Sequence, residues 1–169
     1  MPVPTYEPEH YNEHLVLKVP LVLWLVLLFQ VRHLLLLGIT FLPTTGQEIT
    51  VLRQLVQPAY LIADLIALPL LVTAARRRPQ APDWMRRLWP RGRWLLTLSG
   101  LAYLGVLGWS LTYGGVHAGL QRGLLAGGRT AGAVDEAVLT STLLTLAAIA
   151  YLWRSPRVRD LFREFPPRH

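Results

Sequence analysis

A long apolar run with one arginine in its middle constrains this chain more than any other feature. Between Leu21 and Leu42 the sequence reads LVLWLVLLFQVRHLLLLGITFL, in which 16 of 22 residues are Leu, Val, Ile or Phe. At about 1.5 Å per residue, a helix of this length spans a hydrocarbon core of roughly 30 Å. Arg32 then falls near the bilayer centre, where an ionised side chain is costly and usually has a partner or a function. The run therefore predicts an integral membrane protein.

Composition and the placement of charge agree with a membrane location. The chain has 169 residues, of which 52% are hydrophobic and only 16% are charged, against about 25% charged in soluble proteins. Its net charge of +7 lies beside apolar segments, which indicates membrane orientation and anionic lipid, with no nucleic acid as partner. The leader is acidic and the run after it is long, so we expect a retained first helix and not a cleaved signal peptide.

Four apolar segments predict an all-α fold: one polytopic membrane domain with a bundle of four transmembrane helices. The predicted spans are roughly 19–42, 55–75, 94–113 and 133–153. Lys18, the loop 76–93 and the tail after 153 together carry thirteen Lys and Arg residues, whereas the opposite side carries three. Because cytoplasmic loops hold the excess of Lys and Arg, both termini are predicted to be cytoplasmic, in a bacterial inner membrane.

A polar stripe enters the membrane on the second predicted helix. Arg53, Gln57, Tyr60 and Asp64 follow one another at i, i+4, i+7 and i+11, which places them on one helical face. Arg32 and Asp64 are expected at similar depth on antiparallel helices, and this predicts a buried ion pair. The pair is interpreted first as a lock between two helices. The alternatives are a contact with a partner protein or lipid headgroup, and a proton or ion path.

Small residues mark the third and fourth predicted helices. Ala102, Gly105 and Gly108 recur at intervals of three, and Ser141 and Thr145 share a face of the fourth helix. Small residues let helices approach closely in lipid. We expect ordinary packing within the chain here, with an interface to a second copy or another subunit as the alternative.

Arginines cluster at the predicted cytoplasmic surface. They are Arg76, Arg77, Arg78, Arg86 and Arg87. Each such charge near an anionic leaflet is worth about 1 kcal/mol. The cluster predicts contact with anionic lipid or an acidic partner, unless it serves only to set topology.

No motif indicates catalysis, a cofactor or a resident metal. His10, Glu13 and His14 match the H-x-x-E-H zinc pattern, but in a short polar tail that would support adventitious metal binding at most. His33 has no evident second ligand for haem or a pigment. The segment from Gly115 to Gly127 is predicted to be a loop, or a short helix on the outer leaflet, and it lacks the phosphate-binding G-K-[ST] signature. The chain is therefore predicted not to be an enzyme.

Two stretches carry a family resemblance. Residues 17–32 read L-K-x-P-x-x-L-W-x-x-L-L-F-x-x-R, and residues 152–166 read L-x-R-S-x-R-x-R-D-x-F-x-x-F-P. Together they resemble the YfeZ-like family, small inner-membrane proteins of proteobacteria grouped as a domain of unknown function. The resemblance implies a four-helix membrane protein without assigned chemistry, in which Arg32 is a structural or functional position.

These observations favour a non-enzymatic function. We expect an accessory, assembly or stabilising subunit of a larger membrane complex, whose partners are membrane lipid and other subunits or a second copy of the chain. The alternative is a small transporter or channel that uses Gln57, Tyr60 and Asp64. Water access to Asp64 distinguishes the two, because only a transport path requires it.

Overall fold

The computed structural model describes residues 7, 9, 11, 16–41, 58–113 and 131–167. The regular elements in these ranges are helices, apart from one isolated antiparallel bridge between Tyr11 and Leu17, so the all-α class is confirmed for them. The helices are α1 (Leu21–Gln30), α2 (Arg32–Thr40), α3 (Pro58–Ala75), α4 (Asp83–Leu88), α5 (Gly92–Tyr113), α6 (Ala131–Arg154) and α7 (Pro156–Leu161), with a 3₁₀-helix at Trp89–Arg91.

The first predicted span is a broken helix. α1 and α2 meet at Val31, whose φ of −107° and ψ of 17° depart from helical values, and the two segments are bent by 66°. Within the described ranges no single helix combines the length and apolar character needed to cross a membrane. The bent pair α1–α2 meets that criterion only when its two halves are taken together.

The other three predicted segments each hold one continuous helix. α3 continues through Pro69. α5 begins two residues before its predicted segment and ends with it, and α6 begins two residues before its predicted segment and ends one residue after it. The two short helices α4 and α7 were not predicted. At α7, Ser155 accepts a hydrogen bond from the Val158 N–H at 3.4 Å and Pro156 follows as the first helical residue, a favourable way to begin a helix.

Helices α3, α5 and α6 pack in sequence, and both α1 and α2 lie against α3. A larger apolar cluster, which includes the fully buried Leu27, Leu70, Trp89 and Leu152, joins α1, α3 and α6 to the segment around α4. A smaller cluster of Tyr60, Ala63, Tyr103 and Leu107 joins α3 to α5. Large apolar side chains also cover the outer faces: Leu25, Leu101 and Leu143 are exposed by 58%, 54% and 57%.

Several predicted features lie outside the described residues. They are the upper part of the polar stripe (Arg53 and Gln57), the zinc-like motif (His10, Glu13 and His14) and the segment 115–127.

Candidate functional site

Five side chains form a polar cluster where the break between α1 and α2 meets α3 and α5. This central cluster consists of Arg32, His33, Tyr60, Asp64 and Tyr103. Asp64 is 1% exposed and the two tyrosines are nearly as buried. Because buried ionisable groups are costly unless they are paired, each member needs partners inside the fold.

Asp64 caps the broken helix from outside. The break leaves the first N–H groups of α2 without partners inside the helix, and Val31 makes no side-chain capping bond. The Leu34 N–H donates to Asp64 Oδ2 at 2.9 Å, and His33 Nδ1 lies 3.1 Å from Asp64 Oδ1, which accepts this second hydrogen bond. A carboxylate is favourable at a helix N-terminus. The side chain from α3 therefore stabilises the break itself.

Aromatic rings surround the histidine and the arginine. The His33 ring stacks on Tyr60 and Tyr103, with centroid distances of 5.1 and 5.9 Å. Arg32 Cζ lies 4.2 Å from the ring centre of Phe29 and 4.3 Å from that of Tyr103, and Nη1 donates to the Phe29 carbonyl at 2.9 Å. Nη2 is buried and has no hydrogen-bond partner among the described residues. The guanidinium is thus held mainly by cation–π contacts.

The ion pair predicted between Arg32 and Asp64 is not formed in the described part of the chain, where the carboxylate binds His33 and Leu34 instead. The prediction assumed one straight helix. The bend at Val31 places Arg32 in the first turn of α2, where its side chain reaches back to the Phe29 carbonyl. The neighbouring His33, which was considered from sequence only as a ligand of haem or a pigment, contacts the Asp64 carboxylate instead.

Hydrogen bonds join neighbouring helices around the cluster. Gln30 Nε2 donates to the Leu96 carbonyl (3.1 Å), Ser99 Oγ donates to the Ala63 carbonyl (2.9 Å), and the hydroxyls of Tyr103 and Ser141 are 2.8 Å apart. Thr145 is fully buried and its hydroxyl donates to the Ser141 carbonyl at 2.7 Å. These bonds tie α1 to α5, α5 to α3 and α5 to α6, so the face with Ser141 and Thr145 packs against α5.

At one end of the bundle, the buried Arg77 connects several segments of the chain. Arg77 Nη1 donates to the Leu17 carbonyl at 2.7 Å, Nη2 donates to the Glu164 carbonyl, and Cζ lies 4.8 Å from the ring centre of Trp89. Trp89 Nε1 donates to the Leu161 carbonyl at 2.8 Å. Leu17, Arg77, Trp89 and Glu164, here called the terminal junction, therefore link three segments far apart in the sequence.

Arg77 keeps its charge despite this burial. Desolvation lowers the pKa of Arg77 to about 10, while the Glu164 carboxylate acts in the opposite direction. The guanidinium is protonated at pH 7. The Glu164 carboxylate accepts the Leu17 N–H at 3.2 Å, so both charged side chains of the junction bind backbone groups.

The predicted basic rim divides into buried and exposed members. Arg77 is 9% exposed and its Nη groups bind this chain's own carbonyls, so it is not a free surface charge as predicted. Arg86 is half-buried, donates to the Pro79 carbonyl at 2.6 Å and lies over the Phe165 ring. The exposed members are Arg76, Arg78 and Arg87.

The glycines of α5 also divide into positions in close contact with another part of the chain and exposed positions. At Gly100, a Cβ atom would lie 3.1 Å from Ile149 Cδ1, so α5 and α6 approach closely there. Gly105 and Gly108 are exposed, and a Cβ at either would have no atom within 4 Å. Ala102 is partly buried beside the smaller apolar cluster. The predicted packing face is therefore used at Ala102, whereas Gly105 and Gly108 face outwards.

The sequence contained one unused signal for this site. Gln30, Arg32 and His33 fall within four residues of an otherwise apolar run, which is where the helix breaks.

Within the described ranges, no three His, Cys, Asp or Glu side chains are grouped so that they could hold a metal ion.

Comparison with known proteins gives a family. No curated protein and no solved structure matches the chain significantly. A family model described as "Protein of unknown function (DUF2919)" matches residues 6–164, which covers the three helices that carry the central cluster and all of the terminal junction. The chain therefore belongs to the DUF2919 family of proteins of unknown function.

Proposed function

We propose that this protein is a non-enzymatic accessory subunit of a larger complex in a bacterial inner membrane, with four spans and both termini in the cytoplasm. The apolar side chains on the outer faces of α1, α5 and α6 and the thirteen-to-three asymmetry of Lys and Arg support the membrane location. The finer family assignment, to YfeZ-like proteobacterial proteins, rests on the L-K-x-P…W…R pattern of residues 17–32.

The contrast among the glycines of α5 carries the proposal. Glycine in a helix interior costs up to about 1 kcal/mol relative to alanine, so it usually serves a close contact. Gly92 and Gly100 have such contacts, with Phe162 and Ile149. Gly105 and Gly108 lie one turn apart on the outer face with open space above them, as they would if a helix of another chain packed there.

The central cluster supports the same function. Its carboxylate caps α2, its rings stack on one another, and the hydrogen bonds around it join α1, α3, α5 and α6. Interhelical polar contacts of this kind hold helices together in lipid. We interpret the cluster as a set of interhelical contacts that holds α5, and with it the outer face of this helix, in one position.

Affinity purification from the native membrane in mild detergent tests the proposal. Wild type should retain another membrane protein or a second copy, and the Gly105→Leu/Gly108→Leu variant should lose it while its monomer melts at a temperature no lower than that of the wild-type monomer. Gly38→Leu is the matched control, because Gly38 is exposed on α2 and also has nothing within 4 Å. If the double variant keeps the partner, or wild type is recovered as a bare monomer, the accessory function is excluded.

A proton or ion path is the second candidate, and the break at Val31 is the observation that favours it. Broken helices and buried Asp–His contacts are common at transport sites, and here Asp64 and His33 meet at such a break. Proteoliposomes of the purified protein would show a flux that Asp64→Asn abolishes. Such a flux, together with a bare monomer in the purification, would replace the accessory function by transport.

A further inference from the structure

A pocket opens beside the terminal junction, between the stretch that precedes α1 and the end of α3. Its volume is about 330 Å³, and it is lined by Leu17, Lys18, Val19, Trp24, Ala74 and Arg77. The lining combines two cations with an indole and aliphatic side chains. This composition suits a ligand that has an anionic group attached to an apolar body.

Both cations have unused hydrogen-bonding capacity. Lys18 is exposed, and Nζ donates to the Glu9 carbonyl at 3.1 Å, so among the described residues one of its three N–H groups is used. The Arg77 side chain is nine-tenths buried, and its Nε has no hydrogen-bond partner among the described residues. The Glu164 side chain accepts the Leu17 N–H, and its negative charge offsets only one of the two cations. The lining of the pocket therefore carries a net positive charge.

The apolar side of the pocket continues along α1. Leu21, Trp24 and Leu28 follow at i, i+3 and i+7, which places them on one face of the helix. Leu21 is 73% exposed and Leu28 is 42% exposed. A ligand whose anionic group sits at Lys18 would thus find an uncovered apolar strip leading away from the charge towards the predicted membrane interior.

We propose that this pocket binds the phosphate group of an anionic phospholipid, with Lys18 contacting the phosphate and an acyl chain lying along α1. The site is at the predicted cytoplasmic leaflet, where anionic lipid attracts Lys and Arg. Arg76, one residue before Arg77, is exposed and adds a further positive charge to this part of the chain. The assignment depends on the membrane location and not on the accessory function, so either can fail without the other.

Lys18 offers a direct probe because it is the sole lysine of the chain. The purified full-length protein is placed in nanodiscs of phosphatidylcholine, or of equal parts phosphatidylcholine and phosphatidylglycerol, and treated with an amine-reactive reagent. Peptide mass spectrometry separates Lys18 from the terminal amine. A bound phosphate should slow labelling of Lys18 in the anionic discs by more than the roughly fivefold that one charge is worth near such a surface without a site.

The variant Arg91→Lys supplies the internal control, since position 91 is exposed, lies outside the predicted basic rim and does not line the pocket. Equal slowing at positions 18 and 91 would mean a general surface effect and would overturn the proposal. Inorganic phosphate added to phosphatidylcholine discs should leave Lys18 reactive, and protection there would assign the pocket to a soluble anion instead. In native mass spectrometry, Lys18→Gln should retain less phosphatidylglycerol than wild type while Arg91→Gln retains as much.

Discussion

The buried Arg77 and the partly buried Arg32 lie in opposite kinds of surroundings. Arg77, at the terminal junction, donates to two backbone carbonyls and lies over Trp89. Arg32, at the central cluster, donates to one carbonyl in the preceding turn and is otherwise held by the rings of Phe29 and Tyr103. Arg77 donates hydrogen bonds to distant parts of the chain, whereas Arg32 donates only to the preceding turn and reaches α5 through the ring of Tyr103.

The difference shows which parts of the fold depend on charge. At the terminal junction the Arg77 guanidinium binds both the stretch before α1 and the C-terminal segment, which the hydrogen bond from the Leu17 N–H to the Glu164 carboxylate also joins. At the central cluster the connection between helices is made by Asp64, through the Leu34 N–H and His33. We therefore expect the junction to be sensitive to loss of its arginine and the cluster to loss of its aspartate.

Arg77→Gln should have the largest effect on stability. Each buried carbonyl left without a donor costs about 1–3 kcal/mol, and both Leu17 and Glu164 lose theirs. The exposed neighbour Arg78 is the control, since Arg78→Gln should stay within about 0.5 kcal/mol of wild type. Thermal unfolding in detergent, followed by circular dichroism, measures both. Equal effects of the two substitutions would mean that the junction does not hold the chain ends together.

A double-mutant cycle at the central cluster comes next in size. Asp64→Ala leaves the Leu34 N–H and the His33 ring without an acceptor, at a cost of about 1–3 kcal/mol. Because His33 touches Asp64, the changes His33→Ala and Asp64→Ala should couple by about 0.5 kcal/mol or more. Arg32→Ala and Asp64→Ala should be nearly additive. Coupling of Arg32 to Asp64 that exceeds the coupling of His33 would restore the ion pair expected from the sequence.

The sequence was sufficient to predict where α3, α5 and α6 lie, but not the break in the first segment, the short helices α4 and α7, or how the polar groups pair. Apolar length fixed the positions of α3, α5 and α6, because burial of an apolar segment depends mainly on composition. The partners of Asp64 depend on the backbone break at Val31. The prediction from periodicity missed them because it assumed a continuous helix. At the terminal junction Arg77 binds carbonyls, which every residue has, so the sequence held no signal for its partners.

The smallest expected effect separates the inner and outer faces of α5. Gly100→Ala places a methyl group 3.1 Å from Ile149 and 3.2 Å from Gln30 Nε2, so these side chains must move, and the gain in helix propensity is lost. Gly105→Ala meets nothing within 4 Å and should keep that gain, which is at most about 1 kcal/mol. In the isolated monomer, Gly105→Ala should therefore be the more stable variant by about 1 kcal/mol in the same unfolding assay. The reverse order would mean that the open side of α5 is the one that packs within the chain, and it would remove the observation on which an external partner was proposed.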